Sequence, residues 1–189
     1  MDESKKVEID SDIVKEIFKL AKLNPPKDLT SEAVFDAVFK LKTQEAAANE
    51  GPELVFNPSS NNILVIDDIG VVTYQLKILL KNLGYNVQVA KDIFSGLNTF
   101  VKSNYAFVVM DLFVSTEQEG LTLLNETKKI ITKNNLDTKI IVITASNKAE
   151  NKVKCLNGGA DIFLKKDAGW QDKLIELIEN FQMGQQEEE

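Results

Sequence analysis

The stretch Asn62-Ile63-Leu64-Val65-Ile66-Asp67-Asp68 constrains the fold more than any other part of the chain. Its four consecutive apolar residues are rich in β-branched side chains and too short for a buried helix, so they read as a strand buried on both faces. Two adjacent carboxylates stand at its C-terminal end. In an open parallel α/β sheet that edge is where ligands bind, which makes the pair a candidate site. Three more apolar runs end in polar residues: Phe107-Val108-Val109-Met110 in Asp111, Ile140-Ile141-Val142-Ile143 in Thr144, and Ile162-Phe163-Leu164 in Lys165-Lys166. Three acids, a hydroxyl and a lysine are therefore expected on one edge of one sheet.

Around these runs strand and helix patterns alternate. Strands are expected at 63–66, 86–89, 106–110, 139–143 and 161–164, and helices near 70–83, 92–103, 120–134, 148–157 and 169–181, with Gly84 closing the first helix. Five such units make a parallel sheet covered by helices on both faces.

Ahead of them, apolar positions Ile13, Ile17, Leu20 and Ala21 recur at helical spacing until Asn24-Pro25-Pro26. Val34, Phe35, Val38, Phe39 and Leu41 follow in a second helix. The expected organisation is a helical hairpin over 1–48, a linker over 49–61, the α/β domain over 62–182 and a disordered acidic tail over 183–189. A hairpin this small cannot bury its own apolar stripes, so dimerisation or partner docking is its expected role.

Composition removes whole classes of function. The 189 residues contain no histidine, which excludes histidine-based triads, most zinc sites and a phosphohistidine carrier. There is no arginine, and the net charge is −7, a poor basis for reading nucleic acid. The single cysteine, Cys155, can form no intrachain disulfide and reads as a small buried apolar residue. With no signal core and no apolar run of membrane-spanning length, the expectation is a soluble cytoplasmic protein with no membrane contact.

The motifs in order are Val-Ile-Asp67-Asp68, Met-Asp111-Leu, Ile-Thr144-Ala145-Ser146 and Gly159-Ala160-Asp161-Ile162-Phe163-Leu164-Lys165-Lys166. In this order residues 62–182 resemble the receiver domain of two-component response regulators, of which the chemotaxis regulator is the best-known single-domain member. The resemblance implies a doubly wound, flavodoxin-like five-stranded parallel sheet in the order 2-1-3-4-5. It implies Asp111 as phosphoacceptor, with Mg²⁺ held by Asp67, Asp68, Asp111 and the backbone carbonyl of Phe113. Lys166 completes the cation clamp, the register leaving Lys165 at a variable position. Thr144 and Phe163 fall at the switch positions, a hydroxyl that moves toward the modified aspartate and an aromatic ring that fills the space it leaves.

The function implied is that of a phosphorelay receiver that accepts phosphate from a sensor histidine kinase or a small phosphodonor. It catalyses only its own phosphorylation and dephosphorylation, and signals to a downstream protein partner, with homodimerisation possible and no DNA-binding output. The competing reading is a phosphorylation-independent pseudo-receiver acting as a constitutive interaction module. A phosphohydrolase on a similar sheet would want an aspartate where Phe113 stands.

The chain departs from the family pattern in two loops. Asp167 follows the lysine where the family has proline, so a trans peptide and a displaced Lys166 are expected. The loop after Asp111 lacks the usual proline and brings Gly120 one residue late. Its Glu117 and Glu119 either tune Mg²⁺ affinity or solvate the loop. Phe113, bulky and two residues past Asp111, is expected to hinder water attack on an aspartyl phosphate.

Overall fold

A computed structural model describes residues 60–186, with side chains through 181, and ahead of these only residues 15, 18–20, 22–24 and 37. The chain divides into two units, Met1–Gly51 and Pro52–Glu189, which part within the stretch expected as a linker. In the first unit, the Lys22 N–H donates to the Lys19 carbonyl and the Leu23 N–H to the Phe18 carbonyl, with Lys22 at φ 53°. That is a helix end closed by a left-handed residue. This first helix therefore stops at Lys22, two residues before the Asn24-Pro25-Pro26 expected to stop it. Of the rest of the hairpin only Ala37 is described, buried within a helix, and nearly all of the 49–61 linker lies outside the described residues.

The second unit alternates strands and helices throughout. In order they are β1 (Asn62–Ile66), α1 (Gly70–Asn82), β2 (Asn86–Ala90), α2 (Ile93–Phe100) and β3 (Phe107–Asp111). There follow α3 (Glu117–Lys133), β4 (Lys139–Thr144), α4 (Ala149–Asn157), β5 (Ile162–Lys165) and α5 (Trp170–Gln186). The strands form one sheet in the order β2-β1-β3-β4-β5, every neighbouring pair parallel. This is the doubly wound topology that the runs of valine and isoleucine call for, since β1, β3 and β4 are buried on both faces. One face packs Ile63, Val65, Val109, Ile141 and Ile143 against α1 and α5 through Leu76, Leu80, Leu174 and Ile178. On the other, α2 crosses β1 so closely that a Cβ on Gly96 would lie 2.9 Å from the Ile66 side chain.

Three boundaries differ from expectation by three residues or more. Helix α3 begins at Glu117, three residues early, because Thr116 caps it: the Thr116 hydroxyl accepts from the Glu119 N–H at 3.2 Å. Helix α2 ends at Phe100 rather than near 103. Helix α5 runs to Gln186, through the Met183-Gly184 step at which a disordered tail was expected. One glycine late in a helix costs only about 1 kcal/mol and does not by itself end it. Gly84 sits where a left-handed residue is required, at φ 90°, and its N–H closes α1 onto the Lys81 carbonyl.

Candidate functional site

Register delivers the acids to one another. Ile66 at the end of β1 pairs with Met110 near the end of β3, so the next residues, Asp67 and Asp111, emerge side by side. Asp67 is fully buried and Asp111 nearly so, while Asp68 is exposed. One carboxylate oxygen from each of Asp67, Asp68 and Asp111 can lie within 4.8 Å of the others.

Lys166 comes from the far side of β4. Its backbone N–H donates to the Thr144 carbonyl at 2.7 Å, which extends the β4–β5 pairing by one step. Alternation along β5 then places Lys166 on the same face as Ile162 and Leu164, which join the α1/α5 core, while Lys165 points to the other side and is exposed. The Lys166 ammonium donates to Asp111 Oδ2 at 2.7 Å and to Asp67 Oδ2 at 2.8 Å. The expected displacement of this lysine does not occur. There is no cis peptide among the described residues, and the two buried carboxylates draw the ammonium in without a proline.

The second oxygens of both acids face backbone. Asp67 Oδ1 accepts from the Ile69 N–H at 2.8 Å, and Asp111 Oδ1 from the Phe113 N–H at 3.1 Å. Burial pushes the Asp67 carboxyl above its usual pKa, and the hydrogen bonds from Lys166 and Ile69 offset only part of that. For Lys166, burial alone would lower the pKa, but hydrogen bonds to Asp111 and Asp67 outweigh it and raise the value. Three carboxylates thus face one ammonium, a surplus of two negative charges. An all-oxygen donor set with that surplus fits a hard divalent cation such as Mg²⁺.

Thr144 ends β4 fully buried, and its hydroxyl oxygen accepts from the Ser146 N–H at 3.1 Å. No hydrogen bond joins it to Asp111 among the described residues. Phe163 is half-buried on β5, opposite Val142, while Thr144 pairs with Lys165, so Phe163 and Thr144 occupy the same face of adjacent strands. Phe113 is 37% exposed beside the acids.

The loop after Asp111 is shaped by Gly120. A Cβ there would fall 1.9 Å from the Leu112 carbonyl oxygen, so only glycine lets the first turn of α3 close onto the loop. Glu117, expected from the sequence either to tune Mg²⁺ affinity or to solvate the loop, accepts from the Lys154 ammonium on α4 at 2.8 Å. Nothing in the local pattern of residues 113–119 points to a partner 37 positions away.

Sheet order, parallel strands and acids at the carboxyl edge define a doubly wound α/β domain of the receiver type. Residues 63–179 match the family described as "Response regulator receiver domain", and the chain belongs to that family. It contains the receiver domain of a two-component response regulator.

Among solved structures it is similar to a CheY-like receiver domain protein from Methanospirillum hungatei JF-1. The identity is 27% and the TM-score 0.58, covering 68% of this chain and 99% of that one. A response regulator from Burkholderia pseudomallei, solved with a phosphorylated aspartic acid, calcium ion and citrate, is 29% identical with a TM-score of 0.55, covering 67% and 72%.

Among curated proteins it is similar to the transcriptional regulatory protein DltR of Streptococcus agalactiae, 31% identical over 104 residues, 55% of this chain and 44% of that protein. The transcriptional regulatory protein SrrA of Staphylococcus aureus is 26% identical over 107 residues, 57% and 42% of the two chains. The chain thus spans less than half the length of these curated relatives. No helix among the described residues is long and apolar enough to cross a membrane.

Proposed function

We propose that this receiver is phosphorylated on Asp111 in a Mg²⁺-dependent reaction and signals through protein contacts rather than by reading DNA. The observation that carries the reading is the Lys166 ammonium bound to Asp111 Oδ2 and Asp67 Oδ2 at once. A lysine held there is a fixed positive charge on the path of an incoming phosphoryl group. A carboxylate oxygen of Asp111 forms a bond to phosphorus as the bond to the donor's leaving atom breaks. The leaving imidazole or acetate keeps that electron pair, so the donor is a sensor histidine kinase or a small phosphodonor.

Asp67, Asp68, Asp111 and the Phe113 carbonyl would hold Mg²⁺. When bound, it neutralises the charge of the acids and of the phosphoryl oxygens. The Phe113 N–H anchors one oxygen of Asp111, and the Phe113 ring, partly exposed beside it, limits water attack on the phosphorylated aspartate. Phe113→Asn should then speed dephosphorylation, read as faster decay of the phosphorylated mass.

The Thr144 hydroxyl moves from its bond with Ser146 to a phosphoryl oxygen, and Phe163 repacks in response. The curated relatives are transcriptional regulators, yet this chain has no arginine and a net charge of −7, which favours a protein partner. Intact-mass spectrometry after incubation with acetyl phosphate tests the reading. One added phosphoryl group is expected, dependent on Mg²⁺ and lost in Asp111→Asn. No adduct in any condition would favour a phosphorylation-independent pseudo-receiver.

A further inference from the structure

Two loops border Asp111, one running from it into α3 and one from Thr144 into α4. A chain of polar contacts ties them together. Thr144 Oγ1 accepts from the Ser146 N–H at 3.1 Å. Ser146 Oγ accepts in turn from the Lys148 N–H at 3.2 Å and from Asn151 Nδ2 at 3.1 Å. Across the gap, Glu117 Oε1 accepts from Lys154 Nζ at 2.8 Å, and Glu117 Oε2 faces Lys148 Nζ at 3.9 Å. Lys154 first, then Lys148 and Asn151, hold the Glu117 carboxyl below its usual pKa, so it stays an anion.

The start of α3 therefore carries one carboxylate whose partners are all on the 144–154 segment. Glu117 itself is fixed in place, being the first residue of a helix capped by Thr116 and closed onto Leu112 at Gly120. The segment it grips is not at a fully satisfied endpoint. Asn151 is 1% exposed, and its Oδ1 has no donor among the described residues. A buried acceptor left without a donor favours any rearrangement that supplies one.

We infer that Glu117 is a positioning residue that, through Lys154 and Asn151, holds the 144–148 loop where the Thr144 hydroxyl bonds Ser146 instead of reaching Asp111. The inference rests on the reading of Asp111 as phosphoacceptor. Weakening this bridge releases Thr144 and shifts the population toward the arrangement that accepts phosphate.

The test compares full-length wild type, Glu117→Gln and Lys154→Gln in two readouts. The first is amide hydrogen exchange of residues 144–148 with no phosphodonor present. The second is the rate of adduct formation from acetyl phosphate with Mg²⁺, followed by intact mass. Both variants should speed exchange in this loop, and both should raise the phosphorylation rate, by about threefold or more.

The equal sign separates the bridge from simple electrostatics. If the two residues acted only as charges on an anionic donor, removing the acid would speed the reaction and removing the lysine would slow it. Opposite signs, or unchanged exchange in both variants, would overturn the inference. If wild type forms no adduct, the assignment of Asp111 fails while exchange alone still decides whether the bridge restrains the loop.

Discussion

At the N-terminal edge of the sheet, polar side chains tie loops to backbone one bond at a time. The Thr138 hydroxyl donates to the Tyr105 carbonyl at 2.6 Å, Ser60 and Asn62 donate to the Asn104 carbonyl, and Asp161 accepts from the Ile140 N–H. At the C-terminal edge, Asp67, Asp111 and Lys166 face one another in the interior. The first edge uses polar groups to seal the fold. The second concentrates charge that burial makes expensive, which is how a functional edge differs from a structural one within one sheet.

The most direct way to break that contrast is Lys166→Met. It leaves two buried carboxylates without their cation and should destabilise the metal-free protein by about 3–5 kcal/mol at pH 7, measured by urea unfolding. A loss below about 1 kcal/mol would mean that the ammonium is not their main support.

Gly120→Ala should cost about 3 kcal/mol, since the new methyl meets the Leu112 carbonyl oxygen, which is backbone and cannot swing aside. Its unfolding midpoint, set beside that of Gly70→Ala, where a Cβ meets nothing, isolates the steric part.

Mg²⁺ should sharpen the comparison from the opposite direction. At about 100 times its dissociation constant it should add about 2.7 kcal/mol to the stability of wild type. Thermal unfolding with Mg²⁺ or a chelator should show this gain in wild type and a much smaller one in Asp68→Ala.

At the other edge, Thr138→Val should cost about 1–2 kcal/mol, by leaving the Tyr105 carbonyl without its donor, and should not alter the response to Mg²⁺. A changed Mg²⁺ response would mean that the two edges are coupled.

The smallest effect is a pH dependence. Asp67 is raised above its ordinary value of 3.8, so the native state takes up its proton at a higher pH than the unfolded chain. Its contribution to stability is complete below about 3.8 and is lost as pH rises through the raised native pKa. In chelator, wild type should therefore gain stability relative to Asp67→Asn as pH falls through that window, read from urea midpoints. A difference that is flat with pH would mean that Asp67 titrates alike in both states.

Five strands, their parallel sense and the acids at the strand ends were legible because each rests on local pattern. Buried strands must be continuous apolar runs, and a parallel sheet must place its site at the carboxyl edge. The choice of Lys166 over Lys165 rested on the family register alone, and the structure supplies the physical reason: a period of two along β5 puts them on opposite faces, and Lys166 is on the face of the acids. One helix start was read less well. The cap at Thr116 set the start of α3, and the pattern of apolar residues after Gly120 gave no sign of it.

Asp167 shows the limit from the other side. The missing proline argued for a displaced lysine, but the pull of two buried carboxylates on one ammonium decided its position. Glu117 shows it again, since its partner Lys154 lies on another helix and becomes a neighbour only when α3 and α4 pack side by side. Sequence alone determined the periodicities, and hence the strands, the faces and the acids on one edge. Tertiary structure decided which charges meet, because Coulomb interactions act over a few ångströms of space whatever the distance along the chain.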